Sequence, residues 1–136
     1  MPPFYSQDMD LSRYNVLAVD DVPLNLILIQ KMLSKFNFNV ITADNGARAL
    51  ASIKEKQPDL LLLDILMPEM DGFEVLRRLR ENPEYDTLKI VILSALNSTE
   101  DIVKGYQLGA NDFITKPIIL EKLVNCVATQ LQIIKK

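Results

Sequence analysis

Three aspartates, a serine and a lysine occupy equivalent places along this chain. Asp20-Asp21 follow the apolar run Val16-Leu17-Ala18-Val19, and Asp64 follows Leu60-Leu61-Leu62-Leu63. Ser94 follows Ile90-Val91-Ile92-Leu93, and Lys116 follows Phe113-Ile114-Thr115. Each polar group stands at the downstream end of a short, strand-like segment. In an open parallel α/β sheet those ends lie along one edge, where ligands bind. Separate stretches of chain would thus deliver carboxylates, a hydroxyl and an ammonium to one small pocket. That is the equipment of a metal and phosphoryl site.

Carboxylates held this close raise one another's pKa or require a cation. The chain has no histidine, so the ligand set is oxygen only. Oxygen donors select a hard divalent ion, and Mg2+ is the abundant one. Mg2+ keeps several waters and takes one or two carboxylates with a phosphate oxygen, so no full protein cage is needed. Lys116 is a compact charge suited to phosphate, and Ser94 offers a hydroxyl donor. A transferring phosphoryl group would be neutralised between them and the cation. One carboxylate can then act as nucleophile and form an aspartyl phosphate. Asp64 is the candidate, because it ends the expected central strand and precedes the turn Met67-Pro68-Glu69-Met70-Asp71-Gly72. Taken singly, an acidic pair after a strand is a solvated loop or a helix cap, and Lys116 is a surface charge. Their joint placement is what argues for chemistry.

Composition bounds the alternatives. A chain of 136 residues, 49% hydrophobic and 24% charged, suits one domain with a continuous core. The net charge of -3, with no basic block, argues against direct nucleic acid binding. Cys126 is the sole cysteine, so no intrachain disulfide forms, which fits a reducing compartment. No apolar run reaches membrane-spanning length, and the start lacks a signal-peptide core. A cytoplasmic location is the expectation.

The elements that must position these residues alternate. Strands are expected at 16–19, 39–43, 60–63, 89–93 and 112–115. Helices are expected at 23–36, 47–56 and 72–80. A fourth helix runs from a Ser98 or Thr99 cap to about Leu108, with Gly109 at its end. A fifth runs from Ile119 to about Ile134. Alternation of this kind implies a parallel sheet with right-handed crossovers. Residues 1–13 are polar, carry two prolines and read as an extension or linker.

In the last helix, Leu120, Leu123, Val124, Val127, Leu131 and Ile134 form a core-facing stripe. Ile119, Cys126 and Ile133 recur every seven residues on another face. Scattered exposure is the favoured reading of that second stripe; a partner or dimer surface is the alternative.

The pattern resembles the receiver domain of two-component response regulators. The matching pieces are Val19-Asp20-Asp21, Asp64-Ile65-Leu66-Met67-Pro68 with Asp71-Gly72, Ser94-Ala95, Gly105 to Gly109-Ala110, and Lys116-Pro117. The match covers roughly residues 15–134. The resemblance implies a flavodoxin-like three-layer α/β sandwich over residues 14–136, with five parallel strands in the order 2-1-3-4-5 and five helices. It implies that Asp64 is the phosphoacceptor, and that Asp21, Asp64 and the backbone carbonyl of Leu66 bind Mg2+ directly, with Asp20 acting through water. Ser94 and Lys116 would hold the phosphoryl group. Phe113 stands at the aromatic switch position and, lacking a hydroxyl, would have rotamers that differ mainly in burial.

The implied partner is a sensor histidine kinase or histidine phosphotransfer domain. The face of helix four, strand five and helix five is the candidate dimer surface. Such a domain assists its own phosphorylation but is not an enzyme in the usual sense. Leu66 and Leu96 flank the site where some receivers carry polar residues, so loss of the phosphoryl group is expected to be slow. Two rivals stand beside this reading. A small aspartate-nucleophile phosphatase would need an acidic residue where Leu66 stands and a cap over the substrate. A phosphate-independent interaction module would leave the pocket without a role.

Overall fold

The computed structural model describes residues 10–133. Five strands run in the order β1 (Asn15–Val19), β2 (Asn39–Ala43), β3 (Leu60–Leu63), β4 (Lys89–Ser94) and β5 (Asp112–Thr115). The helices between and after them are α1 (Pro23–Ser34), α2 (Gly46–Lys56), α3 (Gly72–Arg80), α4 (Thr99–Gln107) and α5 (Leu120–Gln130). All strand pairs are parallel and the sheet order is β2-β1-β3-β4-β5.

Alternation along each strand builds two cores, because successive side chains point to opposite faces. Val16, Ala18, Leu60, Leu62, Val91 and Leu93 pack on one face with Leu26, Ile29 and Leu33 of α1 and Leu123, Val124 and Val127 of α5. Leu17, Val19, Leu61, Leu63, Ile90 and Ile92 pack on the other with residues of α2 and α3. Both faces of β3 are covered, which is why its sequence is four consecutive leucines.

Local sequence sets the element ends. Pro23 opens α1, where its missing N–H costs nothing. Asn45, Asp71 and Ser98 each accept a backbone N–H from the first turn of the helix that follows. The expected cap of α4 is therefore Ser98. Gly109, at φ 108, ends the turn after α4, as glycine readily does. Pro83–Tyr85 forms a 3-10 turn where only a helix terminator was expected.

Four expectations need correction. α1 ends at Ser34 rather than Phe36, with Asn37 in a left-handed conformation. α5 begins at Leu120 and ends at Gln130; Gln132 turns to φ 62, and Ile134 lies outside the described residues. The second stripe on α5 is not an exposed surface: Ile119 is 59% exposed, but Cys126 and Ile133 pack against the core. At the other end of the chain, Leu11 is 2% exposed within the α1/α5 core. Packing of the domain thus begins inside the stretch read as an extension. Residues 1–9 of that stretch lie outside the described ones.

Candidate functional site

Register brings the polar residues together. Val19 pairs with Leu63, so Asp20 and Asp64 leave neighbouring strands side by side, and the Asp64 N–H donates to the Val19 carbonyl at 3.0 Å. Ser94 pairs with Thr115, and the Lys116 N–H donates to the Ser94 carbonyl at 2.8 Å. The Lys116-Pro117 bond is cis. Asp20, Asp21 and Asp64 each place a carboxylate oxygen within 4.8 Å of the others. The Lys116 Nζ lies 2.8 Å from Asp20 Oδ2 and 3.5 Å from Asp64 Oδ2.

The carboxylates have different surroundings. Asp20 is buried and well supplied: its Oδ1 accepts the Val22 N–H at 2.9 Å, and its Oδ2 accepts Asn25 Nδ2 at 3.1 Å and Lys116. Asp64 is also buried, and its Oδ1 accepts a long 3.4 Å bond from the Leu66 N–H. Burial raises the Asp64 pKa above the ordinary carboxylate value; Lys116 opposes that shift and Asp20 adds to it. Asp21 is more open to solvent and lines the mouth of the pocket with Leu66 and Leu96. Leu66 is 52% exposed. Ser94 is fully buried, and its Oγ accepts the Leu96 N–H at 3.2 Å. Phe113, one strand position above Ile114, is partly buried against the α2/α3 core.

The donor set suits a hard cation. Three carboxylates converge, the ammonium of Lys116 touches two of them, and no nitrogen or sulfur ligand is among the group. Asp20 accepts three protein donors, and one of them, Lys116, also lies against Asp64.

Sequence reading missed two contributors. Asn25, one turn into α1, braces Asp20; an asparagine at that spacing carries no signal of its own. Gly72, read as turn chemistry, opens α3 directly beneath the pocket. Its N–H donates to the Ile65 carbonyl at 2.9 Å. A Cβ there would lie 2.2 Å from the Asp64 carbonyl oxygen and 2.8 Å from Ile65 Cα. Only glycine permits this approach of α3 to the residue that carries the carboxylate.

An exposed apolar strip also borders the site. Val22, Leu24, Ile27 and Leu28 are 45%, 71%, 50% and 44% exposed. They begin one residue after Asp21 and continue along α1. Sequence periodicity concealed them, because α1 is apolar on more than one face.

A parallel five-stranded sheet ordered 2-1-3-4-5, with an acidic cluster and a lysine at its carboxyl edge, defines a class that comparison with known proteins makes specific. The family model for the response regulator receiver domain matches residues 16–128. The chain is 41% identical over 103 residues to the response regulator PleD of Caulobacter vibrioides, covering 76% of this chain and 23% of PleD. It is 33% identical over 112 residues to protein PilH of Pseudomonas aeruginosa, covering 82% of this chain and 93% of PilH. Among solved structures, the CheX-CheY-BeF3-Mg complex of Borrelia burgdorferi matches with TM-score 0.81 and 30% identity, over 90% of each chain. This chain belongs to the response regulator receiver domain family of two-component systems.

Proposed function

We propose that the chain is a phosphorylation-controlled regulatory domain in which Asp64 accepts a phosphoryl group. The observation that carries this reading is the gathering of Asp20, Asp21, Asp64 and Lys116 around one opening. An Asp64 carboxylate oxygen attacks the phosphorus of a donor phosphohistidine. The phosphorus–nitrogen bond breaks and its electron pair leaves with the imidazole. Lys116, already 3.5 Å from Asp64, would follow the phosphoryl oxygens as they arrive. Ser94 would release Leu96 and turn its hydroxyl toward the same group.

Asp21, Asp64 and the Leu66 carbonyl would hold Mg2+, with Asp20 acting through water. When bound, Mg2+ would supply electrophilic neutralisation of phosphoryl charge. The BeF3 and Mg2+ named for the Borrelia relative support this pairing of cation and phosphoryl site. Phe113, beside β4, would report the rearrangement to the face of α4, β5 and α5. Val103, Tyr106 and Ile119 are exposed on that side, the surface through which a dimer would form. We place the donor, a histidine kinase or phosphotransfer protein, on the α1 strip. That strip is contiguous with the pocket and is apolar enough to be a partner surface.

The test is site mapping. The protein is treated with a small acyl phosphate and Mg2+, the aspartyl phosphate is trapped by borohydride reduction, and the reduced residue is located by peptide mass spectrometry. Reduction at position 64 is expected. Reduction elsewhere, or none, would remove the reading. Sustained hydrolysis of a phosphate ester would favour the phosphatase instead.

A further inference from the structure

Helix α4 is held more lightly than its neighbours. α1, α2, α3 and α5 each bury at least three residues, whereas the buried residue of α4 is Gly105. α4 therefore meets the sheet by backbone approach. A Cβ at Gly105 would stand 2.7 Å from Ile92 Cδ1 and 3.2 Å from the Phe113 ring. Apolar burial is what normally holds a short helix on a sheet. With so little of it, the seat of α4 depends on a few polar ties.

One tie is Lys104, whose Nζ lies 4.4 Å from the centroid of the Phe73 ring in α3. The other is Tyr106, whose hydroxyl donates to Asp112 Oδ1 at 3.2 Å. The same Oδ1 accepts the Phe113 N–H at 2.8 Å, and Oδ2 accepts Cys126 Sγ of α5 at 3.1 Å. One carboxylate thus joins α4, β5 and α5 on the residue immediately before Phe113. Burial, and then the Asp112 charge, raise the Tyr106 phenol above its ordinary pKa, so it stays a donor.

The opposite end of α4 leads to the pocket. Ser94 Oγ accepts the Leu96 N–H, and Ser98 two residues on caps α4 by accepting the Asp101 N–H at 3.1 Å. A Ser94 hydroxyl drawn toward a phosphoryl group lets go of the segment that feeds α4.

We propose that Asp112 is a positioning residue, and that the Tyr106–Asp112 hydrogen bond is a latch holding α4 in its unphosphorylated seat. Filling the Asp64 site opens the latch. This rests on the reading of Asp64 as phosphoacceptor. By linkage, a contact that opposes the filled state weakens binding at the pocket, and removing it strengthens binding by the same factor. Loss of one hydrogen bond to a charged group at a partly exposed place corresponds to a factor of about ten.

The variants are Tyr106→Phe, which removes one hydroxyl and keeps the ring, and Asp112→Asn, which keeps an acceptor oxygen. Hydrogen exchange of the α4 amides is measured without ligand. The beryllofluoride concentration that half-fills the site in excess Mg2+ is then read by fluorine NMR. In Tyr106→Phe the α4 amides are expected to exchange about tenfold faster, with β1 and β3 unchanged, and half-filling should fall by a similar factor. Asp112→Asn should lie between wild type and Tyr106→Phe. Equal half-filling in wild type and Tyr106→Phe overturns the latch, as does unchanged exchange in α4 or a uniform rise across every strand. A wild-type site that never fills overturns the phosphoacceptor reading itself, and the role of the latch with it.

Discussion

Gly72→Ala is a small change with a large expected consequence. The added methyl would start 2.2 Å from the Asp64 carbonyl oxygen and 2.8 Å from Ile65 Cα. Ordinary contact lies near 3.5 Å, so α3 or the segment after β3 must move by roughly 1 Å. Both neighbours are backbone, and neither can rotate away. α3 is also anchored, with Phe73, Val75, Leu76 and Leu79 buried, so much of the movement falls on the strand end that carries Asp64. Overpacking of this kind costs about 1–3 kcal/mol, a fall in Tm of roughly 4–12 °C for a chain of this size. A shift of about 1 Å in a reacting group slows its reaction by about a hundredfold. Denaturant unfolding gives the first quantity, and the initial rate of phosphorylation by a small acyl phosphate with Mg2+ gives the second. A variant that unfolds and reacts like wild type would refute the argument that this close approach positions Asp64.

Other expectations follow from the same geometry. Asp64→Asn should abolish phosphorylation yet be more stable than wild type at neutral pH without divalent cation. The raised Asp64 pKa means that the folded chain holds this proton longer than the unfolded one. Stability is therefore lost as pH rises from the unfolded value through the folded one, and asparagine escapes that loss; thermal melts across acid to neutral pH would show the gap opening. Mg2+ at ten times its Kd should add about 1.4 kcal/mol to wild type and so work against that gap. Lys116→Met should lose about 2 kcal/mol of stability and bind Mg2+ more tightly, since the ammonium no longer competes for Asp20 and Asp64; calorimetric titration decides it. Ile27→Glu should slow transfer from a phosphohistidine protein at least tenfold, about 1.4 kcal/mol of lost docking, with the small-donor rate unchanged. Leu66→Asn should shorten the phosphoryl half-life by offering a polar group to water at the mouth of the pocket; an unchanged decay curve would show that Leu66 does not control it.

The sheet was legible because its buried strands are apolar on both faces and end abruptly in charge. Leu60 to Asp64 is the sharpest case: burial on two sides demands four leucines, and the carboxylate that follows has to be at an edge. Strand β2, at the edge of the sheet, was expected at the residues it occupies, 39–43. The gathering of Asp20, Asp21, Asp64 and Lys116 was legible because each stands at the end of a strand. The site was illegible where the contribution is an absence or a brace. Gly72 matters through a Cβ it lacks, and Asn25 through a bond to a residue five positions away. Helix ends were misjudged where left-handed residues other than glycine, Asn37 and Gln132, stop the helix. The α5 stripe failed because periodicity assigns residues to a face without saying what covers that face; Cys126 and Ile133 meet core that a helical wheel does not contain.

These distant strand ends are proposed to build one cation-dependent phosphoryl acceptor with Asp64 as its nucleophile. Intact mass spectrometry after exposure to a small acyl phosphate tests it most directly, with and without Mg2+, on wild type and Asp64→Ala. One added phosphoryl group is expected on wild type with Mg2+, and none on Asp64→Ala or after chelation. Equal modification of both proteins, or of wild type regardless of cation, would contradict it.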